Sequence, residues 1–197
     1  MPQTAPRRAG RRSGDSTTRD DILRASQKLF GRNGFKNTSM RAVATEAGVD
    51  VALVPYYFGS KHGLFVAAME VPVDPADQVR RATAGPREAL GRNLITEFTA
   101  TWEGPETGSA MQGMLRSVVN DESRSNAYGE FASSQMVPLI AETADVSLDS
   151  ARSLLTVLFG VATLRYLVAV PLFTEMTRDE IIALYAPQLQ RIVDGDH

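Results

Sequence analysis

Basic side chains are concentrated in the first third of the chain. Of its 21 lysine and arginine residues, eleven lie within residues 1–61 beside only five acidic ones, so this segment carries a net charge of +6. The remaining residues carry −8, and the total of −2 is an average over two opposite parts. Clustered cations bind polyanions, and a basic module joined to an acidic one indicates that only the N-terminal part meets nucleic acid.

A disordered basic tail on an ordinary domain is the alternative explanation of this charge. Residues 1–15 are rich in Gly, Pro and Arg, and we expect them to form a disordered basic arm. Without the four arginines of that leader, the segment that ends at residue 61 would still carry +2. The positive charge is therefore predicted to belong to the folded part as well.

Few side chains are suited to catalysis or metal binding. The chain has no cysteine and only two histidines, His62 and His197, which excludes thiolate zinc sites and cysteine nucleophiles and argues against a histidine metal site. Paired carboxylates or a serine motif in a recognisable context are missing too, so a small helical hydrolase or transferase fits badly. We predict a protein that is not an enzyme and needs no cofactor or metal.

Neither a leader peptide nor a membrane span is predicted. The basic N-terminus is not followed by the apolar run of a secretory signal. The most apolar stretch, Leu154 to Phe173, carries Arg165 near its middle and Pro171 near its end, which favours a buried helix over a membrane span. We expect a cytoplasmic protein without a membrane partner.

Helix start and stop signals divide the next residues into four short helices. Helix one is predicted from a capping-box-like start at Thr18 to the glycines 31 and 34, and helix two from Thr38 to Gly48. Asp50 is predicted to cap a third helix that ends near Phe58, and Ser60 to cap a fourth. Two short helices joined by a glycine turn are a helix-turn-helix.

The sequence of residues 38–65, TSMRAVATEAGVDVALVPYYFGSKHGLF, closely resembles the DNA-binding domain of TetR-family transcriptional regulators. That family has a Thr/Ser pair at the start of helix two, an Ala-Gly-Val turn, a short recognition helix that ends in aromatics, and Ser-Lys at the start of helix four. The resemblance covers about residues 16–70. It implies a three-helix DNA-binding domain there and an all-helical ligand-binding and dimerisation domain over residues 71–197.

Position 55 departs from the family pattern, which usually has tyrosine there. Pro55 lacks an amide donor and disfavours helical geometry at Val54, at a cost of about 3 kcal/mol in a helix interior. With Asp50 as the cap, position 55 lies past the first turn, so we expect a kinked or partly 3₁₀ recognition helix. The hydroxyls available for phosphate contact are then those of Tyr56 and Tyr57.

Contacts to DNA are predicted from both the resemblance and the chemistry. An apolar recognition face reads thymine methyl groups and DNA shape better than guanine edges; this face would present Val51, Ala52, Leu53, Pro55 and Tyr57. Tyr56 is either a phosphate contact or a core aromatic. The resemblance implies phosphate contacts at two helix N-termini, with charge added nearby; these residues are Thr38, Ser39, Lys61, Lys36 and Arg41. The four arginines of the leader could enter an adjacent minor groove.

Beyond a Val71–Pro75 linker, every recognisable segment has helical period, which predicts an all-α bundle. One of these predicted helices covers residues 125–142, and Thr177 with Glu180 forms a capping box at the start of the last one. The segment from Leu148 to Val170 is apolar nearly all round and would expose much apolar surface in a monomer. The resemblance implies that the last two long helices form a four-helix dimer interface; we predict for it Leu154, Leu158, Val161 and Leu184. A monomer with a central apolar helix is the alternative. A two-fold dimer would bind a palindromic operator.

The resemblance also implies a small-molecule pocket in the bundle, because members of the family are generally released from DNA when a ligand binds there. The candidate pocket residues are Phe98, Trp102, Met111, Met114, Leu115, Tyr128, Phe131, Arg165 and Tyr166. Arg165 needs a partner in an apolar helix, either an acid such as Glu130 or Glu142, a partner-subunit carboxylate or an anionic ligand.

We predict a ligand-responsive homodimeric repressor; the alternative is a TetR-like activator or partner-controlled regulator without a small-molecule inducer. A cavity of several hundred Å³ would favour the former.

Overall fold

The computed structural model describes residues 13–195, with side chains from residue 17 onwards. Within that range the protein is all-helical, as predicted. The N-terminal helices are α1 (Ser13–Asn37), α2 (Met40–Ala47), α3 (Leu53–Phe58) and α4 (Lys61–Ala68). The basic arm predicted for residues 1–15 lies outside the described residues up to position 12, and residues 13–15 belong to α1.

Three aromatic rings form the centre of the N-terminal domain. Phe30 and Phe35 of α1 each meet the ring of Phe65 from α4 edge-on, with ring centroids 5.1 Å apart in both pairs. Val43 of α2 and Val54 of α3 are both fully buried and anchor the short helices to this centre. Burying a side chain of this size contributes roughly 1.5–3 kcal/mol, which holds helices too short to be stable alone.

Eight further α-helices follow in the part of the chain that the structure describes. They are α5 (Pro75–Thr83), α6 (Leu90–Glu103), α7 (Gly108–Asn120), α8 (Glu122–Phe131), α9 (Val137–Ala144), α10 (Leu148–Val161), α11 (Pro171–Thr174) and α12 (Arg178–Asp194). Helix α6 packs between α5 and α12, and α10 packs against α9 and α12. The sequence analysis missed α5, whose N-cap Asp74 accepts a hydrogen bond from the Ala76 amide at 2.9 Å.

Two of the predicted segments are interrupted rather than continuous. Residues 125–142, predicted as one helix, are divided by a π-helical turn at Ala132–Met136 that separates α8 from α9. The apolar segment 148–170 is regular only to Val161, and a second π-helical turn follows at Ala162–Leu167. The capping box at Thr177 and Glu180 is confirmed at the start of α12.

The start of α1 at Ser13 lies five residues before the predicted start at Thr18. Capping signals locate a helix end only to within a few residues. In residues 13–195, no single helix is long and apolar enough to cross a bilayer. Two helical segments joined by a bend of 110°, Glu122–Ala144 and Leu148–Leu167, together have the length and composition of a span but no other feature of one.

Candidate nucleic-acid interface and ligand cavity

The turn between α2 and α3 has the geometry of a helix-turn-helix. The Ser39 hydroxyl accepts a hydrogen bond from the Ala42 amide at 3.1 Å and so begins α2. Gly48 ends it in the left-handed region, with φ 68°, where a side chain would be strained. The Asp50 carboxylate accepts from the Ala52 amide at 2.8 Å and fixes the turn that leads into α3.

Thr38 does not cap α2, and this prediction is wrong. Its side chain is 2% exposed, and its hydroxyl lies 3.0 Å from the Leu29 carbonyl and 2.9 Å from the Gly34 carbonyl, to which it donates. A hydroxyl committed to the end of α1 is not available to a phosphate, so Thr38 is a structural residue. The capping role belongs to its neighbour, Ser39.

Pro55 lies within the first turn of α3, because the N-cap of the helix is Ala52 and not Asp50, and the helix begins at Leu53. Amides in a first turn have no partner within an α-helix, so proline is tolerated there and the interior cost does not arise. The Leu53 and Val54 amides donate to carbonyls three residues back, those of Asp50 and Val51, at 3.1 and 3.3 Å. The entry to α3 is therefore 3₁₀-like, as expected.

The outward face of α3 differs in part from the prediction. Val51 is 47% and Tyr56 is 73% exposed, and Ala52 and Pro55 are exposed beside them. Leu53 and Tyr57 are half-buried and pack against the core. The possible core role of Tyr56 is therefore wrong, and Tyr56, rather than Tyr57, is the recognition-helix aromatic that faces outward.

Basic and hydroxyl groups lie at the edges of this face. Lys36, Ser39 and Arg41 are exposed. Ser60 caps α4 as predicted, its hydroxyl accepting from the Gly63 amide at 3.0 Å. The Lys61 ammonium donates to the Lys36 carbonyl at 3.0 Å, and it lies 4.6 Å from the centre of the Phe35 ring.

An acidic side chain lies near Lys61, at the N-terminus of α4. Partial burial lowers the pKa of Lys61, and the nearby Glu130 carboxylate opposes that shift. The Glu130 carboxylate also accepts a hydrogen bond from the Lys36 amide at 2.9 Å. An acid of the C-terminal domain therefore lies beside the basic edge of the helix-turn-helix, a feature that the sequence analysis missed.

Phe131, predicted in the ligand pocket, belongs to the contact between α8 and the N-terminal domain. Its ring stacks on Phe65 at 4.6 Å and meets Phe35 at 5.3 Å and His62 at 5.1 Å. The prediction is wrong because residues 130 and 131 turn towards α1 and α4. Tyr128, on the same helix, lines the cavity described next.

A largely enclosed cavity of about 120 Å³ lies among the helices α5 to α10. Its lining is apolar and includes six of the predicted pocket residues: Phe98, Trp102, Met111, Met114, Leu115 and Tyr128. This volume is smaller than the several hundred Å³ expected of an induced regulator.

Arg165 and Tyr166 line a separate open groove of about 470 Å³ beside Trp102. The partner of Arg165 is Glu103, 2.9 and 3.0 Å from two of its nitrogens, and not Glu130 or Glu142. Arg165 also donates to the Met176 carbonyl at 2.8 Å, and Tyr166 donates to Glu103 at 2.8 Å. Burial is the main cause that raises the pKa of the Tyr166 phenol. The arginine is thus paired within the chain and is not an open ligand site.

Three of the four predicted interface residues are buried within one chain. Leu154, Leu158 and Val161 are 0, 8 and 2% exposed, because they face the cavity and the core and not the outer side of α10. Leu184 on α12 is 44% exposed and stays a candidate. Other exposed apolar residues on or next to these helices are Leu148, Phe159 and Leu164.

A capped helix-turn-helix with an outward recognition face, attached to a helical bundle with an apolar cavity, defines a DNA-binding regulator. Residues 22–68 match the family model described as bacterial regulatory proteins, tetR family. Residues 88–193 match the model described as tetracyclin repressor-like, C-terminal domain. The chain belongs to the TetR family of transcriptional regulators, which are not enzymes.

Individual relatives agree with this assignment. The regulatory protein RaaS of Mycobacterium tuberculosis is 49% identical over 104 residues, 53% of this chain and 46% of RaaS. The transcriptional repressor NicS of Pseudomonas putida is 37% identical over 82 residues, 40% of this chain and 38% of NicS. The matches therefore span less than half the length of these relatives. A crystal structure of a TetR-family regulator from Streptomyces coelicolor A3 is 27% identical, with a TM-score of 0.55 over 94% of this chain and 99% of that one.

Proposed function

We propose that this TetR-family regulator is a homodimeric repressor that acts in the cytoplasm. Residues 16–70 bind a palindromic operator, and residues 71–197 form the dimer and hold a small-molecule effector that releases the DNA. NicS is named as a transcriptional repressor, which supports repression over activation. The proposed DNA contacts are Lys36, Ser39, Arg41, Val51, Ala52, Pro55, Tyr56 and Lys61.

The observation that carries the proposal is the position of α8 between the cavity and the helix-turn-helix. Tyr128 lines the cavity, whereas Glu130 holds the Lys36 amide and Phe131 packs on Phe65. A ligand that moves Tyr128 must move residues two and three positions along the same rigid helix. Since both half-sites must be bound together, a small change in their spacing is enough to release the operator.

Dimer formation is supported by apolar side chains that one chain leaves uncovered. Leu148, Phe159 and Leu184 lie on α10 and α12, two helices that pack against each other, and each is at least 36% exposed. Gly160 lies on the same helix, and a Cβ there would meet open space. A face of this kind is stabilised by a second copy related by two-fold symmetry.

The test is selection of genomic DNA fragments by the purified full-length protein. We expect a palindromic site, bound by two chains, and scrambling one half-site should lower affinity by at least about tenfold. Equal binding to the intact and the half-scrambled site would contradict the proposal. The genes beside the selected sites would then indicate the effector to try in release experiments.

A second candidate is favoured by the small volume of the cavity. At about 120 Å³ it lies below the range of drug-sized pockets, roughly 300–1,000 Å³. A regulator controlled by a protein partner needs no such pocket. Release of the operator by a small molecule would decide against this candidate.

A further inference from the structure

The lining of the 120 Å³ cavity contains no charged side chain among the residues that the structure describes. Transfer of an ion into such a place without a counter-charge is costly. Arg165, the one charged residue among the predicted pocket residues, lines the separate groove and is paired with Glu103. An ion therefore has no counter-charge in the cavity, whereas a neutral molecule needs none.

The side chains that line the cavity favour an aromatic ring. Four of them are aromatic, namely Phe98, Trp102, Tyr128 and Phe159, and three are methionines. Aromatic pairs contribute about 0.5–1.5 kcal/mol beyond burial, and thioether sulfurs contact ring edges favourably. Methionine side chains also adapt to the outline of a ligand.

Size limits the occupant to a single ring. A core cavity of about 150 Å³ lined by Leu, Ile and Phe holds one benzene molecule. The present cavity of about 120 Å³ has room for a molecule of that class after a small adjustment of side chains. Fused polycyclic compounds need a volume that these residues do not leave open.

One polar group in the lining has no protein partner in residues 13–195. The Gln78 amide donates to the Thr101 hydroxyl, but the Tyr128 hydroxyl makes no hydrogen bond there. In that part of the chain, no polar side-chain atom is sealed from solvent without a partner, so this hydroxyl faces open space. Burial raises the pKa of Tyr128, and the phenol keeps its proton and acts as a donor.

From these four observations we infer that the effector site takes a neutral, single-ring aromatic compound with one polar atom that accepts a hydrogen bond from the Tyr128 hydroxyl. This inference rests on the proposed function, because it names the ligand of that site. The acceptor fixes the orientation of the ring, and the apolar lining supplies most of the binding.

Four probes of nearly equal size separate charge from polarity: benzyl alcohol, toluene, benzoate and benzylammonium. Their binding to the full-length protein is measured by calorimetry and by the fluorescence of Trp102, the one tryptophan in the chain. We expect benzyl alcohol to bind most tightly, toluene more weakly, and the two ions at least about tenfold more weakly than benzyl alcohol. Ions that bind as well as benzyl alcohol would overturn the inference.

Tyr128→Phe keeps the ring and removes the hydroxyl. It should lower affinity for benzyl alcohol about five- to tenfold and leave toluene unchanged; equal loss for both would overturn the assigned role of the hydroxyl. Failure of all four probes to bind a protein that still binds its operator would sink this inference but leave a DNA-binding regulator. Benzyl alcohol that binds without releasing the operator supports the site and contradicts its role in induction.

Discussion

Gly34 lies where α1 turns towards α2, directly under the carboxylate of Glu130. Its φ of 77° and ψ of 176° belong to a region that is open almost only to glycine. A Cβ built there would lie 2.3 Å from a Glu130 oxygen. The backbone conformation therefore requires glycine at this position, and an added Cβ would also displace the Glu130 carboxylate from the Lys36 amide.

Gly34→Ala should lower the free energy of unfolding by about 2–3 kcal/mol, through strain and collision with Glu130. Gly48→Ala is the matched control, because Gly48 also has a positive φ but its added Cβ would meet nothing within 4 Å; we expect a loss of about 1–2 kcal/mol there. Urea unfolding measures both. Equal losses would show that Glu130 does not restrict position 34.

Lys61→Ala should weaken binding to all DNA sequences and reduce the slope of log affinity against log salt by about 0.9, because one phosphate contact is lost. Arg80→Ala removes the same charge from α5, where the side chain pairs with Asp77 at 3.0 Å, and should leave the slope unchanged. Fluorescence anisotropy at several salt concentrations measures both. Parallel slopes for Lys61→Ala and wild type would remove Lys61 from the interface.

The residues of the DNA-facing surface could be predicted only in part. The cap at Ser60 was readable because hydroxyl, position and helix start coincide. Thr38 and Ser39 are adjacent hydroxyl residues, and the sequence does not reveal which one caps α2, since that depends on the carbonyls at the end of α1. The acid beside Lys61 comes from position 130, and no local pattern connects residues so far apart in the chain.

At the scale of helices, regular segments were predictable and interruptions were not. The capping box of α12 follows from two residues at fixed spacing. Helix α5 begins with Asp74 and Pro75, which read equally well as a linker. The π turns have no characteristic composition, although each contributes a residue to the cavity lining. Pro55 was placed in a helix interior because the start of α3 was predicted two residues too early.

The capping box also predicts a pH dependence. The Thr177 amide and hydroxyl donate hydrogen bonds to the Glu180 carboxylate at 2.7 and 2.9 Å. These hydrogen bonds, the one from the amide more than the one from the hydroxyl, lower the pKa of Glu180 below its ordinary 4.5. A carboxyl whose pKa is lowered by folding stabilises the fold above its unfolded pKa, and this stabilisation is lost as the pH falls through the folded pKa.

Glu180→Gln should therefore lower Tm at neutral pH, and the difference from wild type should shrink as the pH falls below 4.5 and vanish below the folded pKa of Glu180. Asp179→Asn removes a charge from the same first turn, beside the capping bonds rather than within them, and should cause a smaller change. Thermal unfolding from pH 7 to pH 3 measures both. Identical pH profiles for the two variants would contradict the capping role.

At the scale of the molecule, the apolar character of α10 has two separate consequences. Its inner side supplies Leu154 and Leu158 to the cavity, and its outer side leaves Leu148 exposed. Phe159 lies between the two sides, because it lines the cavity and is also 36% exposed. The sequence predicted an interface from the total apolar content, but hydrophobic pattern alone did not separate the two sides of a helix that is apolar nearly all round.

Leu184→Glu should convert the dimer into a monomer at micromolar concentration and abolish operator binding, because it buries a charge at the proposed interface. Val119→Glu is the control: Val119 is 55% exposed on α7, away from α10 and α12, and its variant should stay dimeric. Sedimentation equilibrium measures both. A wild-type monomer, or a dimeric Leu184→Glu variant, would contradict the proposed interface.

Each π-helical turn contains one residue more than the α-helical turn that it replaces, so each is equivalent to a single-residue insertion. Met136 from the first turn and Ala162 from the second both line the cavity. Deletion of one residue from 132–136 would rotate α8 by about 100° relative to α9 and carry Tyr128 away from its present place. The gain or loss of one codon at either turn is thus a short evolutionary route to a reshaped effector chamber, one that leaves the sequence of the DNA-binding helices untouched.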